Sequence, residues 1–390
     1  MIPFEIDWWP KRVLYAEGAI DGLAGVLKDL KRTRALVVCG KSVAAGETFA
    51  HVRQALGGAY AGAFQEIKMH AHLPDVARAA NLAKELGADT IISLGGGSAI
   101  DSGKGICLSH KVGGGIADYA LKPGTSTGAD ETPFPKLDLA HIAIPTTTGS
   151  GSEITPTGGF FDPSLGHKRI YRHENLIPDV AVLDPLATVA TPARLTACSG
   201  MTAVARCVES LYAGRRNPFR TGLALHGLRM LIASLPVTID TPGDIEARSN
   251  CLVASSMSAI SANVNTSALH AVGHVVGGSR GLQHGVAHTI LLPGALRVMG
   301  PTLGDLQKQL VWAFGECPDG LTADQAGQRA ADLMAEFVAR LPLPQTLRDV
   351  GVERDALPGM AEHAARDPIL LRSGAKVGAD RILQMLEAAF

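Results

Sequence analysis

The sequence predicts two domains of different class: an α/β domain with a mostly parallel sheet over residues 1–187, followed by an all-helical domain over residues 188–390. Three observations carry this expectation. The 390 residues exceed what one ordinary core organises. Through the first half, short apolar runs rich in β-branched residues alternate with helical stretches, the pattern of βαβ units. After Asp184-Pro185 such runs largely cease and long helical patterns take over. Composition fits this class, with 46% hydrophobic and 19% charged residues and a net charge of −1. No basic stripe with interleaved aromatics marks a nucleic-acid partner. No unbroken apolar run reaches membrane-spanning length, and the N-terminal stretch carries charges where a secretion signal needs apolar residues. The six scattered cysteines form no CxxC pair, which points to reduced thiols in a cytoplasm. No internal repeat or low-complexity tract is visible.

In order, KRVLYA (11–16) reads as an opening strand, followed by a helix to Asp29. ALVVC (35–39) is a buried strand ending at Gly40. A helix over 45–57 and a strand near 63–67 follow. Pro74 and Asp75 open a helix to Leu86, with proline in the first turn where its missing N–H costs nothing. TIISL (90–94) is the next strand, and GGGSAIDSGKGICL (95–108) continues it. Three glycines there let the backbone approach a ligand closely. The helix starting at Ser98 or Ala99 turns its N–H groups and positive end toward the same place. That makes a phosphate cradle, although a bare glycine turn would look the same in isolation. The stretch is neither GxGxxG nor a P-loop. Residues 111–138 are a turn-rich excursion. HIAIP (141–145) is a strand ending in TTTGSGSE (146–153), a second glycine- and hydroxyl-rich loop. Two such loops at the C-terminal ends of strands predict a Rossmann-like dinucleotide site.

Cofactor choice is legible after ALVVC, where an NAD-selective protein places an acid against the ribose 2′-hydroxyl. Gly40-Lys41-Ser42 offers none. A lysine and a hydroxyl there favour NADP(H) and still admit NAD(H). Lys41 could equally be a solvated loop residue.

The second half predicts helices over 193–212, 218–235, 243–276, 302–316 and 322–340. Between Asn265 and Pro293 lie four of the thirteen histidines, His270, His274, His284 and His288. His270 and His274 are four apart and share a helical face. A break at Gly277-Gly278 returns the chain to His284, fourteen residues after His270. Such a cluster builds a metal or carbonyl site, whereas a lone histidine is more often a hydrogen-bonded core or surface residue.

GGGSAIDSGK (95–104), PTTTGSGSE (145–153), SGMTAVARCVESLY (199–212) and HAVGHVVGGSRGLQHG (270–285) together resemble the iron-containing (group III) alcohol dehydrogenases and the related maleylacetate reductases, over essentially the whole chain. The resemblance implies a dehydroquinate synthase-like architecture, an active site in the cleft between the domains, hydride transfer between a nicotinamide cofactor and an alcohol or carbonyl, and a homodimer. It implies that Gly95, Gly96, Gly97 and Ser98 hold the pyrophosphate, with Asp101 and Lys104 completing the motif. Thr146, Thr147 and Ser150 would line the ribose and nicotinamide side, with Lys168 a further candidate. Gly40, Lys41 and Ser42 complete the expected cofactor set. The family's metal is held by an Asp and a His four apart plus two histidines fourteen apart. The latter pair matches His270 and His284, and His274 matches a histidine associated with proton transfer.

The departures matter most. Where the family reads Gly-Met-Asp-Ala-x-x-His, this chain has Thr202 and Arg206 in place of the two ligands. Arginine stays protonated at any working pH, and like unit charges at about 4 Å repel by roughly 4 kcal/mol at an effective dielectric of 20. The expectation is therefore a metal-free reductase of an anionic carbonyl, a keto acid or acid-bearing aldehyde. His274, His270, His284 and Arg206 would be the catalytic groups, and Thr202, Arg206 and Arg280 the substrate contacts. Any residual metal would sit at His270 and His284. Maleylacetate reductases likewise work without the metal and lack the Asp, but usually keep the histidine that is Arg206 here. Arg206 could instead pair with Glu209 three residues on. The alternatives are a conventional metal-dependent alcohol dehydrogenase, a non-catalytic nucleotide-binding regulator, and a synthase of the dehydroquinate kind.

Overall fold

A computed structural model describes residues 10–122, 133–212, 217–262, 268–367, 370 and 377–390. The chain separates into two compact units, one running to Ala190 and the other starting at Thr191.

In the first unit the strands are β1 (Val13–Tyr15), β2 (Ala35–Val38), β3 (Tyr60–Phe64), β4 (Thr90–Gly95), β5 (Ala140–Pro145), β6 (Thr157–Asp162), β7 (His167–Arg172) and β8 (Val180–Leu183). The helices are α1 (Leu23–Asp29), α2 (Lys41–Ala44), α3 (Glu47–Leu56), α4 (Leu73–Glu85) and α5 (Gly97–Val112). Six strands form one sheet in the order β1-β8-β5-β4-β2-β3, and every pair is parallel. β2, β4, β5 and β8 are buried throughout, as the continuous apolar runs require of a sheet covered on both faces. Alternation sorts their side chains. Val37, Ile92, Leu94, Ile142 and Val182 join Leu23, Leu27 and Val52 of α1 and α3 on one face. Leu36, Val38 and Ile91 meet Val76, Ala79 and Ile106 of α4 and α5 on the other.

Three local expectations shift. The strand expected near 63–67 is Tyr60–Phe64, because pairing with β2 selects the small-residue run YAGAF, which carries little apolar signal. The helix expected at Ser98 or Ala99 begins at Gly97. Residues 157–172, with no strand expected, form the antiparallel hairpin β6–β7. Phe160 and Tyr171 pack across it with ring centroids 4.5 Å apart, and both are fully buried. Of the 111–138 excursion, 113–119 is a 3-10 helix and 123–132 lie outside the described residues.

The second unit is helical: α6 (Ala193–Tyr212), α7 (Pro218–Asp240), α8 (Ile245–Ser261), α9 (Ala268–Arg280), α10 (His284–Met299), α11 (Leu306–Ala313), α12 (Ala323–Ala339), α13 (Leu357–Ala365) and α14 (Ala379–Ala388). The helix expected over 243–276 is two helices, α8 and α9, with residues 263–267 outside the described residues. The one expected over 302–316 is the shorter α11. One core runs through the bundle, from Met201, Val204 and Val208 of α6 through Leu228 and Leu231 of α7 to Ile290 and Leu291 of α10. By length and composition α7 could cross a membrane, but half of its apolar window is buried within this unit, as in the core helix of a bundle.

Candidate functional site

The nucleotide-loop residues sit at the C-terminal ends of β4 and β5, which pair in parallel up to Gly95 opposite Pro145. Gly95 has φ +147, which only glycine adopts readily, and a Cβ there would lie 2.9 Å from that of Ala99. A Cβ on Gly96 would meet Thr147 Oγ1 at 2.9 Å, and one on Gly97 would meet Ser150 Cβ at 2.8 Å. The two loops therefore touch, and they can do so because these positions lack side chains. The N–H of Thr146 donates to the Gly95 carbonyl (3.1 Å) and locks the pair together. The sixteen-residue α5 starts here and aims its free N–H groups at the same spot. Gly40 closes β2 alongside, packed on the 65–72 loop, where a Cβ would lie 3.2 Å from the Ile67 carbonyl oxygen. Lys41 and Ser42 follow it, exposed, in the first turn of α2.

The remaining candidates in this unit divide. Ser98 is part of the cradle, and its Oγ accepts from the backbone N–H of His70 (2.9 Å). His70 and Ala71 have φ of +75 and +51, a conformation that costs a non-glycine residue on the order of 1–3 kcal/mol. Both carbonyls accept from Phe161 N–H, which holds that turn in place. Nothing in the sequence marked His70, because a left-handed histidine has no pattern. Asp101 accepts from Ser152 Oγ and from Gly159 N–H, tying the second loop to the hairpin. Lys168 lies beside it across the same hairpin. Lys104 is buried, and its ammonium donates to the carbonyls of Thr155 (2.8 Å) and Thr157 (2.7 Å). Burial pulls it down to about 8, against the neighbouring Asp101 and Glu153 charges. Its bonds are thus those of a strut under the second loop.

In the helical unit, α9 and α10 bring the four histidines together. Ring centroids are 4.7 Å apart for His270 and His274, 5.9 Å for His270 and His284, and 5.6 Å for His274 and His284. One nitrogen from each of these three lies within 4.8 Å of the others. His288, one turn beyond His284, stands 5.8 Å from His270. It is buried with Nδ1 lacking a hydrogen-bond partner, and burial holds it neutral, down to about 4. His274 is also pulled down, first by burial and then by His270, with Asp367 and Glu209 opposing.

Two carboxylates back the cluster. Glu209 Oε2 is 3.5 Å from His270 Nδ1, an ion-pair distance outside hydrogen-bond geometry. Asp367 Oδ2 is 3.4 Å from His274 Nδ1. In the sequence Glu209 reads only as a possible partner for Arg206, and Asp367 carries no signal at all. Thr202 and Arg206 are on α6. The Thr202 hydroxyl donates to the Cys198 carbonyl of its own helix (3.3 Å), and Arg206 Nη1 donates to Ser258 Oγ of α8 (3.4 Å). Arg206 is near enough to depress His288. Of the four positions where the resemblance implies metal ligands, two therefore hold a hydroxyl turned to its own backbone and a cation. That donor set does not fit the family's metal site. The Arg280 side chain lies outside the described residues.

Residues 10–185 match the model of the iron-containing alcohol dehydrogenase family, and residues 196–390 match that of the Fe-containing alcohol dehydrogenase family, C-terminal. The maleylacetate reductase of Rhizobium sp. (strain MTP-10005) is 30% identical over 369 residues, 94% of this chain and 93% of that protein. The 4-hydroxybutyrate dehydrogenase of Cupriavidus necator is 31% identical over 347 residues, 87% of each chain. Among solved structures, a 1,3-propanediol oxidoreductase superposes with a TM-score of 0.91 at 25% identity, covering 99% of this chain and 100% of that one.

Proposed function

The chain belongs to the iron-containing alcohol dehydrogenase family and is an oxidoreductase acting on CH–OH or C=O groups, and we propose that it reduces an anionic carbonyl with NADP(H), without a catalytic metal. The observation that carries this reading is Arg206. A permanent cation stands at a metal-ligand position beside the histidine cluster, where it would oppose a dication and attract a carboxylate. The substrates named for two relatives, maleylacetate and 4-hydroxybutyrate, are both carboxylates, which supports an acid-bearing substrate.

In this reading the Gly95–Ser98 cradle takes the pyrophosphate and the Thr146–Ser150 loop takes the ribose side. Lys41 and Ser42 supply a cation and a hydroxyl for a 2′-phosphate, with NAD(H) a poorer cofactor. When bound, the nicotinamide supplies the hydride. This chain's residues must then meet the developing oxyanion, and preorganised donors contribute about 3–4 kcal/mol each at such a position. His274, with His270 and His284 beside it, is the donor. Protonated, it gives its proton to that oxyanion in the reducing direction, which its lowered affinity for protons favours, and the neutral ring takes the proton of an alcohol in the reverse direction. Arg206, with Thr202 one turn before it, binds the substrate's acid group. A homodimer in the cytoplasm, divided near residue 187, completes the proposal.

The test is reduction of a panel of keto acids, acid-bearing aldehydes and neutral aldehydes, with metal analysis of the same protein. Arg206→Ala is expected to raise KM for acid-bearing substrates about 10–100-fold, the loss of a charge-assisted bidentate contact, and to leave neutral ones nearly unchanged. Equal loss for both classes would remove the anion clamp. A second reading has its own observation, the three nitrogens of His270, His274 and His284 within 4.8 Å. Tetrahedral ligation at 2.0–2.1 Å would require them to close to about 3.4 Å. One tightly bound metal per chain would favour that reading.

A further inference from the structure

Two histidines of α9 each stand with Nδ1 near a carboxylate from another part of the bundle. Asp367, which follows α13, stands 3.4 Å from His274 Nδ1. Glu209 of α6 stands 3.5 Å from His270 Nδ1. Both carboxylates are nearly buried, with side chains 14% and 5% exposed, whereas the imidazoles they face are 32% and 23% exposed. Each acid is therefore held behind its histidine, and the open edge belongs to the ring. An imidazole has its two nitrogens on different edges, so a carboxylate accepting at Nδ1 fixes the neutral ring as the Nδ1–H tautomer. The Nε2 lone pair is then left for whatever lies on the exposed side.

We propose that Asp367 is a positioning residue: it accepts a hydrogen bond from Nδ1–H of His274 and thereby makes Nε2 the edge that gives its proton to the oxyanion in reduction and takes the alcohol's proton in reverse. Glu209 faces His270 Nδ1 at an ion-pair distance outside hydrogen-bond geometry, so the positioning role is assigned to Asp367 alone. This rests on the reading of His274 as the proton-transfer group and adds how that group is held. The pairing is not incidental to helix packing. His274 lies between a like ring on one side, His270 at 4.7 Å, and the acid on the other. His270 disfavours a proton on His274, and Asp367 favours one. An Asn at 367 keeps the shape and can offer its amide N–H instead, which turns the ring to the wrong tautomer. For histidines held by a buried aspartate, that exchange costs up to about 10⁴-fold in kcat.

Two measurements test this on the full chain. In kinetics, Asp367→Asn is expected to lower kcat by 10²- to 10⁴-fold, with KM for carbonyl and reduced nicotinamide changed less than about threefold. Asp367→Glu should restore part of kcat. Loss through KM alone, or no loss, would overturn the positioning role. A purely structural Asp367 would instead lower the melting temperature and leave kcat of the folded fraction intact. In NMR, the ¹⁵N shifts of His274, assigned by His274→Gln, should report the Nδ1–H tautomer in the wild type and the Nε2–H tautomer in Asp367→Asn. An Nε2–H ring in the wild type would overturn the proposal even if no carbonyl were turned over. Absence of turnover with every carbonyl, with the Nδ1–H tautomer present, would instead sink the reductase reading and leave the dyad standing.

Discussion

At the scale of single residues, the contact between the loops after β4 and β5 depends on what is missing as much as on what is present. Gly96 and Gly97 abut Thr147 and Ser150 so closely that a methyl group on either would enter the second loop. Gly96→Ala is expected to weaken NADPH binding about tenfold or more, roughly 1.4 kcal/mol, as read by nucleotide fluorescence titration. Unchanged affinity would show that the cradle tolerates a wider gap than the geometry allows. The close approach of the loops was legible because three consecutive glycines after an apolar strand are matched by a second glycine-rich loop after the next strand. The destination of Lys104 was not. Its place in the motif suggested a phosphate contact, but its ammonium serves two buried carbonyls at Thr155 and Thr157. A lysine's partner is chosen by whatever chain passes within reach, and here that is the hairpin's approach, distant in sequence.

At the scale of elements, the histidine cluster is set by how tightly α10 lies on α6. A Cβ on Gly285 would fall 1.7 Å from the Cys198 carbonyl oxygen, a backbone atom that cannot move aside. On the other side of α6, Gly200 similarly admits Leu235 of α7. Gly285→Ala must therefore push α10 outward, carrying His284 with it, and is expected to cost about 1–3 kcal/mol as an overpacked contact. Thermal unfolding would measure this, and a wild-type melting temperature would show that the helices separate freely. The i, i+4 spacing of His270 and His274, and of His284 and His288, was visible in the sequence. The hairpin was not, because TGGFFD and HKRIYR are short, glycine-containing or charged, and show little apolar alternation.

At the scale of the whole molecule, the parallel sheet contains a pH liability. His141 of β5 is 5% exposed and hydrogen-bonded to Ser93 of β4 (2.8 Å). Burial, reinforced by the charges of Lys104 and Lys11, holds it down to about 3. The unfolded chain takes up this proton near pH 6.5 and the folded chain only near 3. Stability is therefore complete above 6.5 and falls as pH drops between those values. At pH 5.5 this single group is expected to cost about 1.4 kcal/mol. Urea midpoints at pH 7.5 and 5.5 would measure it, and the difference should shrink in His141→Gln. An equal difference in both proteins would place the acid sensitivity elsewhere.

By itself the sequence determined the order of the two structural classes, the two glycine-rich loops after apolar strands, the fourteen-residue spacing of the histidines and the presence of Thr202 and Arg206 four residues apart on one helix. All of these are local patterns, encoded in neighbouring residues by strand alternation, helical spacing and glycine placement. Only the tertiary structure decided that Asp367 stands behind His274, that Glu209 faces His270, and that His70 braces Ser98. Those partners are separated by 93, 61 and 28 positions along the chain. Helix packing and strand order brought them together, and neither is written in the periodicity of any one segment.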